Sequence, residues 1–338
     1  MEPIFIPSGY QSLLKIKAKN HLFFGGTSYL GLNYNQAYLQ LFKDGLDQWG
    51  LNNGASRNNN IRLSIYQEAE RQLAINYDRE AAVTFSSGWL AAQVAVETFS
   101  KNRTLIYIND AHPALMQNDV AILKINDAIN YINLSQQTNF LLVSNSVNNI
   151  IPQIFDFSAL SQILPSKNIL LLLDHSHGFG ILEQEWRKTL PLNFQNITII
   201  YCGSFAKGLS LDAGVVLGDE YLIDELKNTA TFNGASPCSP ASLYTYLNGS
   251  EIIKIAQEKL KANLDFLNLN LNKNDFFWQE NFPVIQILNP EIIYKLQKPG
   301  ILYTAFPYPN PTSALIHRLV ITANHDVSAL QHLIQAIN

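Results

Sequence analysis

Asn168-Ile169-Leu170-Leu171-Leu172-Leu173-Asp174-His175-Ser176-His177-Gly178 is the stretch from which the fold can be read. Its apolar run is continuous rather than alternating, which marks a strand covered on both faces, as in a parallel α/β sheet. The run stops on Asp174. A carboxylate at the end of a buried strand is costly unless something pairs with it. The carboxyl ends of such strands are also where open α/β sheets bind ligands. His177 follows three residues on, in the next loop. Taken alone, Asp174 serves equally well as a cap for the following turn.

Outward from this strand, similar short runs occur at Ala81–Phe85, Thr104–Ile108, Phe140–Val143, Ile197–Cys202 and Gly214–Leu217. Helical spacing marks Ser64–Asn76, through Ile65, Ala69, Leu73 and Ala74, and also Trp89–Phe99. Spacers of this size suit βαβ crossovers. From about residue 240 the texture changes. A long helix is predicted from Pro240 to Leu269, broken near Asn248-Gly249. Short strands follow at Val284–Leu288 and Arg318–Ile321, separated by the Pro-rich segment Phe306–Thr312. A last helix, Val327–Ile337, has Asp326 or Ser328 as its N-cap. The reading is α/β: a large domain over residues 45–240, a small α+β domain over 241–338, and residues 1–44 packing on the small one. Internal repeats are absent. The Asn52-Asn53 and Asn58–Asn60 patches read as loops.

Composition narrows the classes. The chain has 338 residues, 47% hydrophobic and 15% charged, enough for a core and unlike a disordered chain. The net charge of −4 gives no footprint for nucleic acid or an anionic membrane. Two cysteines, Cys202 and Cys238, cannot make a disulfide framework and point to a reducing compartment. No apolar run is long enough to span a bilayer, and the first residues lack the pattern of a signal peptide. A cytoplasmic enzyme or binding protein is expected.

Three further stretches could carry chemistry. Ile199-Ile-Tyr-Cys-Gly203-Ser204-Phe205-Ala206-Lys207 is a strand running into a small-residue turn and a lysine. A lysine near a buried carboxylate can act as a nucleophilic amine, although alone it reads as a solvated loop residue. Phe85-Ser86-Ser87-Gly88-Trp89 opens a helix and presents N–H groups suited to an anion such as phosphate. Tyr107-Ile-Asn109-Asp110-Ala111-His112 ends another strand. Its imidazole could stack on a planar cofactor or be a hydrogen-bonded loop histidine.

The order of these pieces is that of pyridoxal-phosphate enzymes of the aspartate-aminotransferase fold class, within the class I/II aminotransferase superfamily. More narrowly, the chain resembles the α-oxoamine synthase family over about residues 25–335. Tyr29-Leu-Gly-Leu32 is similar to that family's Y-L-G-L, and Gly54-Ala-Ser56-Arg57 to its G-x-S-R, with Glu70 on the next helix. Phe85–Trp89 resembles the phosphate turn and Ala111-His112 the site of the ring-stacking histidine. Asp174 and His177 match D-x-x-H, and Ser204-Phe-Ala-Lys207 matches [S/T]-x-x-K. Arg318-Leu-Val-Ile-Thr-Ala-Asn-His325 resembles the segment carrying the carboxylate-binding arginine.

The resemblance implies a type I PLP-dependent transferase fold, a mostly parallel seven-stranded sheet plus a small C-terminal domain, with pyridoxal 5′-phosphate as cofactor. It assigns Asp174 to the pyridine nitrogen, Lys207 to the cofactor aldimine and then to proton transfer at Cα, and His112 to the ring face. His177 goes to the 3-oxygen. Ser87, Gly88, Trp89 and Ser204 go to the phosphate, and Arg318, Arg57 and Tyr29 to the substrate. Phe232–Pro237 is similar to a segment reaching the neighbouring subunit's phosphate, with Asn233 and Gly234 as donors, so a homodimer with a shared site is implied. The implied reaction condenses an α-amino acid with an acyl-CoA. Alternatives are amino transfer, other Cα chemistry such as aldol cleavage or racemisation, or a non-catalytic scaffold. No metal is implied. The departures from the family are Ser28 for Asn, Ile61 for Gly, Tyr66 for His, Asn145 for Glu, the missing S-M-D-G at Asn148–Gln153, and Ala213-Gly214 for a glycine pair. They spare the cofactor residues and fall where substrate and acyl-CoA would be recognised.

Overall fold

A computed structural model describes residues 4–6, 8–17, 19–109, 111–117, 120–148, 150–182, 190, 194–296, 300–308 and 310–338. Met1–Pro3, Asp110, Asn149 and Pro309, each part of a stretch read above, lie outside the described residues. The chain opens with β1 (Leu13–Ile16) and β2 (Lys19–Phe24), then α1 (Gln36–Trp49) and α2 (Ser64–Asn76). Next come β3 (Ala81–Phe85), α3 (Gly88–Ser100), β4 (Thr104–Ile108), β5 (Ile122–Leu123), α4 (Ile125–Leu134) and β6 (Asn139–Asn145). A short hairpin, β7 (Val147–Asn148) and β8 (Gln153–Ile154), precedes β9 (Asn168–Asp174), β10 (Ile197–Ser204) and β11 (Gly214–Gly218). Helices α5 (Glu220–Lys227), α6 (Ala230–Gly234), α7 (Pro240–Asn248) and α8 (Ser250–Asn270) lead to β12 (Phe276–Trp278) and β13 (Val284–Ile287). The chain ends with α9 (Pro290–Leu296), β14 (Ile301–Pro307), β15 (Leu315–Val320) and α10 (Val327–Ile337).

The large sheet has seven strands in the order β3-β11-β10-β9-β6-β4-β5. Neighbours from β10 to β5 pair in parallel, and β11 runs antiparallel to both β10 and β3. The apolar continuity of β9 has the expected cause. Ile169, Leu171 and Leu173 enter the core on one face, while Leu170 and Leu172 enter the core on the other. Helix α2 covers the first face with Ile65, Ala69 and Leu73, and α3 covers the second with Ala91, Ala92 and Ala95. Burying a branched side chain of this size stabilises the fold by about 1.5–3 kcal/mol.

The smaller sheet has the order β1-β2-β14-β15-β13-β12. The N-terminal strands join it through a parallel pairing of β2 with β14. Strand β14 differs from expectation, because Phe306 and Pro307 end a strand rather than begin a loop. Its pairing with β2 covers only Ile301–Tyr303, so the N–H that Pro307 lacks is not needed on that side. Of the two caps considered for the last helix, Asp326 is the N-cap, accepting from the Ala329 N–H at 2.8 Å.

Candidate active site

Parallel register brings three strand ends into line: Asn145 lies opposite Asp174, and Asp174 opposite Cys202. Asp174 Oδ1 accepts from the Ser176 N–H at 2.8 Å, and Ser176 Oγ in turn accepts from the Ser204 N–H at 2.9 Å. A Cβ on Gly203 would lie 2.7 Å from Ser176 Oγ and 3.1 Å from Asp174 Oδ1. Glycine therefore lets β10 close on the Asp174 turn and sets the path of the chain to Lys207.

His112, Asn145, Val147, Asp174, His177 and Lys207 line one small pocket at this sheet edge. Among the described residues Lys207 makes no hydrogen bond or ion pair. Burial pushes its amine below the ordinary lysine value, with Asp174 opposing the shift. His112 is lowered by burial, helped by Lys207 and opposed by Asp174. His177 lies well below the usual histidine value, first from burial and then from the charges of Lys207 and Arg318. Both imidazoles are thus held neutral at physiological pH.

Some of the support was not foreseen. Asn145 Oδ1 accepts the His112 backbone N–H at 2.9 Å, and His112 Nδ1 accepts from Ala114 N–H at 3.1 Å. Asn145 had stood out only as a departure. Ser176 is a small residue two places after a strand-end Asp, a side-chain turn signature that could have flagged it.

The predicted anion turn forms at the start of α3. Ser87 is the N-cap, its Oγ accepting from the Leu90 N–H. A Cβ on Gly88 would sit 2.5 Å from Ser204 Cβ and 2.6 Å from Ser204 N, so Ser87–Trp89 and Ser204 meet. The first N–H groups of a helix have no intrahelical partner and favour an anion. Trp89 is exposed.

Arg318 arrives from the small sheet, in register with Gln286 and Thr304. It is buried, with its guanidinium 4.6 Å from the centre of the Phe306 ring. Burial lowers it from its ordinary value, and its charge acts on His177 and on Tyr29. Tyr29 is fully buried and its hydroxyl lies 2.7 Å from His177 Nδ1. Arg57 sits elsewhere. It pairs with Glu70 Oε1 at 2.7 Å, donates to Thr84 O at 3.0 Å, and lies between the Tyr66 and Phe232 rings. A cavity of about 550 Å³ opens over it. Asn233 borders Ser56 and Asn58 on that side. Within one chain neither Asn233 nor Gly234 lines the Lys207 pocket. At the other departures, Ser28 Oγ meets Ser210 Oγ at 2.8 Å, Ile61 is exposed, and the Tyr66 hydroxyl donates to Cys238 O at 2.8 Å.

The donor set is the test of fit for pyridoxal phosphate. A strand-end carboxylate, a half-buried lysine with no partner among the described residues, an imidazole beside them and a glycine-tight helix N-terminus are the groups that a pyridine nitrogen, an aldehyde, a ring face and a phosphate require. They fit. The fold and this pocket define a PLP-dependent transferase of the aspartate-aminotransferase fold class. The chain belongs to the aminotransferase class I and II family, whose model matches residues 29–337. It is similar to 8-amino-7-oxononanoate synthase of Aliivibrio fischeri, with 25% identity over 98% of this chain and 92% of that protein. The enzyme of the same name from Petrotoga mobilis is 23% identical, over 95% of this chain and 88% of that one. Among solved structures, a serine palmitoyltransferase from S. paucimobilis carrying a bound PLP–myriocin aldimine superposes with TM-score 0.83 at 17% identity. That match covers 99% of this chain and 91% of that one.

Proposed function

We propose that the protein is an α-oxoamine synthase, similar to 8-amino-7-oxononanoate synthase, which condenses an α-amino acid with an acyl-CoA. The observation that carries the reading is Lys207: a half-buried amine without a bond among the described residues, in one pocket with Asp174, His112 and His177. Relatives named 8-amino-7-oxononanoate synthase, matched over nearly their whole length, support it.

When bound, pyridoxal phosphate supplies an electron-poor ring that takes up charge from the carbon beside a substrate amine. Asp174 holds a proton on the pyridine nitrogen and keeps the ring electron-poor. His112 covers the ring face and keeps water from it. Lys207 Nζ, its proton affinity reduced by burial, would hold the cofactor through its aldehyde carbon and, once displaced from that carbon by the substrate amine, would be free to take the proton from the substrate Cα. Ser87, Gly88, Trp89 and Ser204 hold the phosphate, and His177 the 3-oxygen. Arg318 binds the α-carboxylate through two parallel N–H groups and so orients Cα over the ring. Tyr29 enters the site through His177. Arg57, committed to Glu70 and Thr84, shapes the loop over residues 54–58 at the substrate side.

The protein is further proposed to be a cytoplasmic homodimer, with Asn233 and Gly234 completing the partner's phosphate site. Residues 45–240 would form the cofactor domain and 241–338 the small domain. Exposed Leu51, Ile61 and Trp89 support a covering second copy. Among the described residues no helix is long and apolar enough to cross a membrane, and no cluster of potential metal ligands occurs.

The test is incubation with glycine, alanine or serine and a panel of acyl-CoAs while thiol release is followed, with amino transfer to 2-oxoglutarate measured in parallel. Thiol release without transfer is expected. Transfer without CoA use would make the protein an aminotransferase. Absence of both, with no cofactor bound, would leave a scaffold.

A further inference from the structure

We propose that Tyr29 is a positioning residue: its hydroxyl donates to His177 Nδ1 and fixes that imidazole with its proton on Nε2, available to the cofactor's 3-oxygen. The inference rests on reading the Lys207 pocket as a pyridoxal-phosphate site. It begins with an accounting of one proton. Tyr29 is 1% exposed, and its hydroxyl is 2.7 Å from His177 Nδ1. Among the described residues the Tyr29 hydroxyl has no other partner. A buried O–H has to donate to the acceptor it meets. Were His177 to donate from Nδ1 instead, the phenolic hydrogen would be left with no acceptor. Nδ1 is therefore the acceptor, and a neutral imidazole that accepts at Nδ1 carries its hydrogen at Nε2.

Both groups are held in the protonation states this requires. Burial raises the Tyr29 phenol, and Arg318 only partly offsets that, so it remains a donor. Burial and the charges of Lys207 and Arg318 keep His177 neutral. His177 lines the pocket with Asp174 and Lys207, and no partner among the described residues occupies its Nε2. Tyr29 itself is fixed from the other side. Its carbonyl accepts the Ala323 N–H at 3.0 Å, three residues past the end of β15. The hydrogen bond to His177 thus ties the small sheet, which carries Arg318, to the group that would bind the 3-oxygen.

A donor at the 3-oxygen draws charge from it and lowers the basicity of the nitrogen conjugated with it. Tyr29→Phe frees the tautomer of His177 and weakens that donor. The loss of one neutral hydrogen bond should weaken cofactor binding about two- to tenfold. It should also raise the pH midpoint of the near-visible band by roughly 0.5–1 unit. Histidine ¹⁵N NMR on the full chain reads the tautomer directly, with or without cofactor. Nε2–H at His177 in the unmodified protein, lost or mixed in Tyr29→Phe, is expected. An Nδ1–H signal, or an unmoved band midpoint in a variant with unchanged thermal unfolding, would overturn the assignment. Should the protein take up no pyridoxal phosphate, the functional reading fails, while the NMR result still decides the tautomer.

Discussion

Two half-buried charged clusters adjoin the same large sheet, and they are built differently. Around Arg57 every strong group is used. The guanidinium meets Glu70 and Thr84, Glu70 Oε1 also accepts from the Thr84 N–H at 2.7 Å and its hydroxyl at 2.9 Å, and the Tyr66 and Phe232 rings lie against the guanidinium. Around Lys207 the charges are brought close and left open. Asp174 and Lys207 influence each other without an ion pair, and the lysine has no partner among the described residues. A saturated cluster holds a loop in place. An open one keeps its amine ready for a ligand, and burial, only partly opposed by Asp174, is what lowers its proton affinity.

Substitution of Lys207 should break the contrast most severely. Lys207→Ala is expected to abolish borohydride-fixable cofactor and to reduce turnover by about 10²–10⁴-fold or more, while denaturation midpoints stay near those of the unmodified protein. A large loss of stability would mean that this lysine belongs with the saturated kind.

Arg57→Ala should do the reverse. It leaves Glu70 buried without its counter-charge, which costs about 3–5 kcal/mol in stability. Urea denaturation measures it. If stability were unchanged while amino-acid affinity fell, Arg57 would be a substrate ligand and the comparison would collapse.

His325, between β15 and α10, offers a third, closed case. Its Nδ1 accepts from the Thr322 N–H at 3.0 Å and its Nε2 lies 3.0 Å from Phe23 O. Burial pushes it down to about 4. The fold therefore favours the neutral ring, and the unfolded chain binds more protons between about pH 6.5 and 4. Stability from this group is complete above pH 6.5 and falls as pH drops through that window, by about 3 kcal/mol. The acid slope should flatten in His325→Asn; persistence of the full slope would assign it to other groups.

The smallest expected effect sharpens the difference between the two arginines. Arg318→Lys should keep the near-visible band and weaken amino-acid binding about 10–100-fold, the value of a charge-assisted hydrogen bond. Spectral titration with glycine, alanine and serine reads this. Unchanged affinity would remove Arg318 from the substrate site.

Legibility in the sequence followed burial. Strands β3, β4, β6, β9, β10 and β11 and helices α2 and α10 could be placed because each carries its own apolar pattern, and Asp174, Lys207 and Ser87–Trp89 could be placed because they punctuate those patterns. Strands β1, β2 and β14 left little trace. Residues 19–23 of β2 are exposed or half-buried, and the strand exists because β1 and β14 supply its hydrogen bonds. Helix α1 carries a local signal at its start: Asn35 caps it, accepting from the Tyr38 N–H at 3.1 Å.

The sequence by itself determined the type of sheet, the order of chemical groups along it and the turn that opens α3, since all three depend on residues near one another in the chain. Only the tertiary structure decided which groups are spent and which are open. Arg57 and Arg318 look alike as letters. One meets a carboxylate 13 residues away on α2; the other is carried in by a strand some 140 residues after Asp174. Likewise, Tyr29 and His177 are 148 residues apart in sequence and 2.7 Å apart in the fold. Local pattern cannot encode such meetings, because side-chain partnership depends on how two sheets pack, and that is set by the whole core at once.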